Sequence, residues 1–465
     1  MVETSTAHQQ DPSRGYGEKV VAVEPGGVEF IPLSERHGKP IDLLWTWMSP
    51  NLEFATVFVG VIGVLFFGLS FWMAALAIVI GTGGGALSQG VLSTWGPKHG
   101  LPQMVIGRSA FGFLGNILPT GLMSVTAGIG WFAVNSVSGA YALNTLWHMP
   151  KGLALVLIVL VQIAVAFFGH NLVHTFERFV FPFLAVVFVI ATVTVFNKAH
   201  LGAHAAGGIP TIGAFLIEVG AAFGYAAGWN PYASDYTRYQ APKANEKAVG
   251  WYAGLGIFVS CVVLELAGAA SVTAVATPSN NPTSDFTGIM PGWIADLTLL
   301  AIAVGAVSAN VLNIYSGAMS FLAMGIKLPL ALRRAIVAVV FGAVGLVVAF
   351  TGLHDAGKKY ENFLLVIAYW IAPWLAVVFV DRWLRRGSKI DRIVEDTKYQ
   401  NWAGPIAMAL GMAVSIWLFS NQSKYLAPIP KHHPGIGDIT FEVGFVISAV
   451  SYYVLFRLLR PRADT

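Results

Sequence analysis

Cysteine is almost missing from this chain: Cys261 is the one thiol in 465 residues. That excludes an intramolecular disulfide framework and any cysteine-based zinc or iron–sulfur site. Charge is also scarce. Only 28 basic and 24 acidic side chains, 11% of the residues, are available to face water, against about 25% in ordinary globular chains. A soluble surface for a chain of this length cannot be made from so few, which argues against a soluble enzyme, a nucleic-acid binder and a disordered scaffold. No short apolar core with a small-residue cleavage site precedes the first long apolar stretch, so no cleaved secretory signal is expected. What the sequence has in excess is apolar residues, 55% of the total, with 50 glycines besides.

A helix needs about 20 mostly apolar residues to cross bilayer hydrocarbon. Twelve such stretches run near 44–69, 71–95, 117–146, 152–169, 175–196, 211–234, 249–274, 293–322, 333–352, 360–380, 403–421 and 440–459. The pattern predicts an all-α membrane protein with twelve transmembrane helices and the lipid bilayer as its partner. Lys and Arg divide unevenly between alternate loops. One side holds Lys151, Lys198, Lys358, Lys359, Lys424 and Lys431, and the other holds the remaining 22 of the 28. The richer side is expected to be cytoplasmic, and an even number of spans puts both termini there, with residues 1–40 as a polar tail. The net charge of +4 is then an insertion signal and not a nucleic-acid footprint.

Two spans carry helix breakers deep in apolar sequence: Trp47-Met48-Ser49-Pro50-Asn51 in span 1 and Gly228-Trp229-Asn230-Pro231 in span 6. Proline removes a backbone donor and clashes with the preceding turn, and lipid offers no substitute partner. Paired interruptions in two halves are the best sequence pointer to a transporter's binding site. The breaks lie about 180 residues apart, and so do the polar-aromatic clusters at Trp131–Asn135 and Asn310–Asn313. This reads as an inverted repeat of five plus five spans, residues 41–200 and 205–382, with spans 11 and 12 and the C-terminus in 383–465.

Trp131 and Asn135 are four apart and share a helical face; so do Tyr225 and Trp229 beside the second break. Asn310 and Asn313 lie one turn apart on span 8. Indole faces and carboxamides suit a flat, uncharged heteroaromatic ligand. Aromatic stacking contributes about 1–3 kcal/mol per base, and an Asn amide pairs bidentately with adjacent donor and acceptor atoms, as on adenine.

At these residues the sequence resembles the purine–cytosine permeases of the nucleobase–cation symporter-1 family. The resemblance is carried by Gly107-Arg108-Ser109-Ala110-Phe111-Gly112, Trp131 through Asn135, the string from Gly228 to Tyr239, and Asn310 through Ser316. It covers nearly the whole chain from about Glu24. It implies the leucine-transporter-type fold and cation-driven uptake of cytosine and purines across the plasma membrane. It further implies that Trp131 stacks on the base, Asn135 contacts its edge, and Asn310 and Asn313 set specificity. Ser49 or Asn51 would add a polar contact. Alignment on Asp235 puts Ala226 where sodium-coupled relatives carry an aromatic, which leaves Tyr225 and Trp229 both as candidates for the second stacking ring.

Sodium-coupled members of that family use two adjacent hydroxyls on span 8, where this chain reads Ser308-Ala309. A hard cation wants a full oxygen shell, so the missing hydroxyl favours protons over sodium. Intramembrane carboxylates are the natural carriers, and Glu53, Glu218 and Glu265 are the candidates. Other signals read as structural. Gly81-Thr82-Gly83-Gly84-Gly85-Ala86 has the letters of a dinucleotide fingerprint but lies in an apolar span, where small residues pack helices. The histidine pairs His170/His174 and His432/His433 are expected in loops. Asp235 and Arg238 read as a cytoplasmic-end structural or gating pair, and the basic run from Arg382 to Lys398 as a topology anchor able to meet anionic lipid. The expected function is import of a nucleobase, cytosine or a purine, by cation symport, with no cofactor. Its alternatives are the same fold carrying a hydantoin, allantoin or a pyrimidine vitamin precursor and, from other classes, a membrane-embedded enzyme or a channel.

Overall fold

The computed structural model describes residues 27–167, 170–202, 210–275, 277–279, 281–326 and 333–461, without the side chains at 166–177 and 333–338. The tail before residue 27, with Arg14 and Lys19, therefore lies outside the described residues. So do Lys327, Arg462 and the side chains of His170, His174, Arg333 and Arg334.

Where the structure describes them, the apolar stretches read from the sequence fall mainly on helices, which satisfy their own backbone groups in lipid. The principal helices are α1 (Asp42–Met48), α2 (Phe54–Leu65), α3 (Phe71–Ser93), α4 (Ile117–Val125), α5 (Phe132–Trp147), α6 (Lys151–Phe167), α7 (His170–Lys198) and α8 (Thr211–Ala227). They continue as α9 (Ala233–Thr237), α10 (Glu246–Val272), α11 (Gly292–Ala323), α12 (Arg333–Gly352), α13 (Ala356–Leu384), α14 (Ala403–Phe419) and α15 (Thr440–Leu459). Among the described residues, eight helical segments are long and apolar enough to cross a membrane, and α1 with α2 makes a ninth. The apolar parts of α6, α12 and α14 are shorter. His170 and His174 fall inside α7 and not in a loop, and His432 closes a short helix at Pro428–His432. The helix α7 begins before its apolar span, which runs over Arg178–Lys198.

Burial separates the centre from the rim. The apolar window of α11 is 83% buried inside the protein, that of α15 only 17%. The axial helix α11 packs against α5, α6, α7 and the turn Ser49–Asn51. Glycine sets the closeness of the surrounding helices. A Cβ on Gly60 would come within 1.7 Å of the Glu265 carbonyl oxygen, and one on Gly268 within 1.8 Å of that of Val57, so α2 and α10 touch backbone to backbone. Gly81 and Gly85 of α3 meet α8 in the same way, at 2.4 Å from the Val219 oxygen and 2.6 Å from the Ala227 nitrogen. The glycine string of α3 is therefore a helix-packing surface.

A closed aromatic and amide site between two broken helices

The first break is sharp. After α1 a single 3-10 turn, Ser49–Asn51, carries Pro50. Glu53 follows in extended conformation (φ −152°, ψ 171°), and α2 leaves at 60° to the incoming axis. The second is gentler: α8 ends at Ala227, a 3-10 turn covers Asn230–Tyr232, and α9 resumes so that Thr211–Thr237 runs as one span. Both prolines interrupt the ladder, but only Pro50 turns the chain. A third irregularity lies between α4 and α5, where Thr126–Trp131 forms a π turn, a feature frequent at functional sites. It admits two rings. A Cβ on Gly128 would lie 2.0 Å from the Phe341 ring, and one on Gly130 2.4 Å from the Phe363 ring.

Trp131, 6% exposed, ends that turn. It is held edge-on by Tyr225 (centroids 5.3 Å, 87°), Phe363 (5.1 Å, 77°) and Tyr360 (6.3 Å, 68°). The unwound stretch of the second break crosses the indole, since a Cβ on Gly228 would sit 3.2 Å from Trp131 Nε1. The two span 6 aromatics separate here. Tyr225 faces Trp131, whereas Trp229 donates from Nε1 to Asn51 Oδ1 at 2.8 Å and lies edge-on to Trp47 at 6.0 Å. Asn51 also donates from Nδ2 to the Trp47 carbonyl at 2.6 Å, so one end of its amide is fixed within the first break and the other joins it to the second. Ser49 is fully buried and its hydroxyl has no partner among the described residues.

One turn along α5 from Trp131 begins a chain of amides. Asn135 donates to Asn310 Oδ1 (3.1 Å), as does Asn313 (3.4 Å). Asn310 donates to the Phe132 carbonyl (2.8 Å) and Ser136 Oγ (3.1 Å), and Asn313 accepts from the Tyr232 hydroxyl (3.0 Å). Asn135 Oδ1 is buried with no partner among the described residues, an acceptor that normally finds one. Ser136 is fixed in turn by Gln162, which donates to the Ala306 carbonyl. The site thus brings together Trp131, Tyr225, Asn135, Asn310, Asn313 and, across the break, Ser49, Asn51 and Trp229. Sequence reasoning missed Tyr360, Phe363, Tyr232 and Gln162. Of these, only Tyr232 lay in a string that had drawn notice.

Ser308 is buried on α11, the helix against which the Ser49–Asn51 turn packs. The three glutamates are buried and differ in their partners. Glu53 Oε1 accepts from the Tyr225 hydroxyl at 3.2 Å, and that hydroxyl also bonds Thr56. Glu265 Oε2 accepts from Thr82 Oγ1 at 2.7 Å. Both Glu218 oxygens lack partners, and the carboxyl lies where a Cβ on Gly63 would come within 2.7 Å of it.

A cavity of about 180 Å³ lies beside the site. Its walls include Ala133, Tyr141, Lys359, Tyr360 and Phe363, so the two rings that cover Trp131 also border this space while the amides stay sealed behind them. The end of the molecule that carries Asp235 and Arg238 is tied separately. Asp235 accepts from the backbone N–H of Gln103 (3.0 Å), and Arg238 donates to the Gly27 carbonyl (2.9 Å). Arg108, whose pKa burial lowers to about 10, donates to the Ala323 and Val394 carbonyls.

Known proteins share this organisation. The family model for permeases for cytosine/purines, uracil, thiamine and allantoin matches residues 30–444. YxlA of Bacillus subtilis is 30% identical over 449 residues, covering 95% of this chain and 96% of that one. The purine-cytosine permease fcyB of Emericella nidulans is 28% identical, over 93% and 88%. Among solved structures, Mhp1, a nucleobase-cation-symport-1 family transporter in a closed conformation with bromovinylhydantoin bound, superposes with a TM-score of 0.73. That match is at 19% identity and covers 94% of this chain and 96% of that one, so the transporter fold is shared. The chain is therefore a multi-pass membrane transporter, not an enzyme, and it belongs to the purine–cytosine permeases of the nucleobase–cation symporter-1 family.

Proposed function

We propose that this protein imports cytosine or a purine across the plasma membrane by proton symport, with alternating access around the Trp131 site. In this reading twelve spans cross the membrane. The first ten form the five-plus-five inverted repeat, and both termini lie in the cytoplasm. The observation that carries the substrate assignment is the pairing of an indole with unspent polar atoms in a neutral lining. Asn135 Oδ1 and the Ser49 hydroxyl are buried without partners, as a site does when a ligand is meant to complete it. A flat base stacks on Trp131, its edge donor reaches Asn135 Oδ1, and Asn310 and Asn313 present further amide groups to its edge. No charged group of an amino acid would be matched there.

Support for protons comes from two sides. Ser308-Ala309 provides one hydroxyl where a sodium shell asks for more oxygens. The carboxyls of Glu53, Glu218 and Glu265 are buried in the spans with no cationic hydrogen-bond partner among the described residues, the setting in which membrane carboxylates carry function.

Proteoliposomes test both halves with labelled cytosine, adenine and hypoxanthine under separately imposed gradients. The expected result is saturable accumulation of at least one of these bases when the outside is acidic. A protonophore abolishes it, and replacing sodium by choline leaves it unchanged. Accumulation that follows sodium alone refutes proton coupling. The family description extends to allantoin and thiamine, so accumulation of one of these and none of the three bases refutes the substrate assignment.

A further inference from the structure

We propose that Glu53 is the residue that binds the coupling proton and that Tyr225 transmits its protonation state to the substrate-stacking Trp131. The inference rests on the proton-symport reading above and assigns a role within it.

Three buried carboxyls compete for the part, and their surroundings distinguish them. Glu265 is held by Thr82, which joins α10 to α3, and Glu218 is lodged against Gly63 of α2. Among the described residues neither carboxyl has a hydrogen bond to the Trp131 site. Glu53 does: its Oε1 accepts from the Tyr225 hydroxyl, and the Tyr225 ring is one of those edge-on to Trp131. One side chain thus touches both the carboxyl and the stacking indole. Thr56 completes the link, bonding the same tyrosine hydroxyl and the Asn51 carbonyl in the first break.

The position of Glu53 on the chain also suits the role. It is the extended residue at the 60° bend, where a small rotation moves the side chain relative to α11. There α11 packs directly against the bend at Gly305, since a Cβ on it would lie 2.5 Å from the Leu52 oxygen and 3.0 Å from the Glu53 Cβ, so the two elements move against each other without slack. Glu53 Oε2 has no partner. The titratable groups facing this carboxyl are Tyr225 from α8, Tyr360 from α13 and Cys261 from α10, and Tyr360 lies within electrostatic range of Glu265 and Glu218 as well. None of these is a cation, and no basic side chain bonds Glu53 in the described structure. A bare carboxylate without water is costly in such a place, so the closed site loaded with the base holds the neutral acid.

The proton balance is simple. The Oε2–H bond of the acid breaks when the site opens to cytoplasmic water, a water molecule accepts the proton, and the carboxylate keeps the hydrogen bond donated by Tyr225. The empty carrier returns with Glu53 as the carboxylate, held by the hydrogen bond from Tyr225 and by water in the place of the base, and water at the outer face reprotonates it before the next base is carried in, so one proton enters with each base. Tyr225 shifts with the charge it bonds, and its ring carries that shift to Trp131.

Glu53→Gln copies the neutral acid and cannot release a proton. Purified Glu53→Gln in proteoliposomes is expected to exchange labelled for unlabelled cytosine across the membrane. It should lose the accumulation, up to about tenfold per unit of pH gradient for one coupled proton, that the unsubstituted protein shows. Cytosine affinity of the purified protein in detergent should depend on pH, that of Glu53→Gln should not, and Tyr225→Phe should bind cytosine with an altered pH profile. Proton-driven accumulation by Glu53→Gln at the unsubstituted level overturns the assignment, as does its loss in Glu265→Gln or Glu218→Gln while Glu53→Gln keeps it. A Glu53→Gln protein that does not exchange and whose cytosine binding titrates with pH as before also overturns it. A Tyr225→Phe profile identical to the original removes the transmitting role. If the unsubstituted protein shows no proton-driven accumulation, the proton-symport reading itself fails, a result distinct from all of these.

Discussion

Trp131→Ala abolishes uptake of the base while the protein remains in the membrane at its normal amount. Stacking on an aromatic ring contributes about 1–3 kcal/mol per base, a factor of roughly 5–150 in affinity. The indole has a second part, because Tyr225, Phe363 and Tyr360 close on its edges. Aromatic pairs of that geometry contribute about 0.5–1.5 kcal/mol each beyond burial. Alanine removes the stacking surface and the ring around which the others close, so the expected loss in transport efficiency is on the order of 100-fold or more. Trp131→Phe keeps a smaller ring and is expected to fall between. Initial rates of cytosine uptake, normalised to membrane protein by immunoblot, measure this. Uptake by Trp131→Ala at the unsubstituted rate contradicts the stacking role.

Asn310→Ala has the second largest effect. This one amide donates to the Phe132 carbonyl and Ser136 Oγ and accepts from Asn135 and Asn313. Truncation leaves the amide donors of Asn135 and Asn313 facing an apolar methyl, at about 1–3 kcal/mol for each buried group unmet. Asn135, whose free oxygen is the proposed acceptor for the base, loses the bond that orients it. The expected result is a rise in KM for cytosine of about 100-fold. Asn313→Ala costs less, because its bond to Asn310 is long at 3.4 Å and its remaining partner is the Tyr232 hydroxyl. Binding of labelled cytosine to the purified variants ranks the two, and equal affinity in Asn310→Ala and the unsubstituted protein refutes the amide chain as a recognition element.

Much of this architecture was legible in the residues because hydrocarbon is an exacting solvent. Apolar runs of the required length mark helices, and a proline inside such a run has to be accommodated somewhere, which located both breaks. The glycines of α3 were readable for the same reason, since an apolar context leaves packing as their use. Other parts could not be read. The π turn at Thr126–Trp131 has no compositional sign of its own, although Gly128 and Gly130 are where the two phenylalanine rings enter. That Pro50 bends its span by 60° while Pro231 leaves Thr211–Thr237 continuous depends on what packs around each turn, not on the proline.

The site was legible as a set and illegible in its internal division of labour. Ser49 and Asn51 are equivalent as polar residues beside a break, and only the structure shows Asn51 spent on Trp229 and Trp47 while the Ser49 hydroxyl stays unpaired. Tyr225 and Trp229 share a helical face in an ideal helix. The unwinding after Ala227 sends one toward Trp131 and the other toward Asn51. Tyr360 and Phe363 escaped notice because they come from α13, the tenth span of the repeat, in which neither the paired breaks nor the polar-aromatic clusters lie. The three glutamates were equal as buried carboxyls and are separated by one hydrogen bond, between Tyr225 and Glu53.

A structure of the protein in lipid with cytosine bound tests the central claim most directly. The predicted result is density for the base parallel to the Trp131 ring, its edge within hydrogen-bond distance of Asn135 Oδ1, and Tyr360 and Phe363 displaced or closed over it. Cytosine seated elsewhere, with Asn135 Oδ1 still unpaired and Trp131 ringed only by Tyr225, Tyr360 and Phe363, contradicts it.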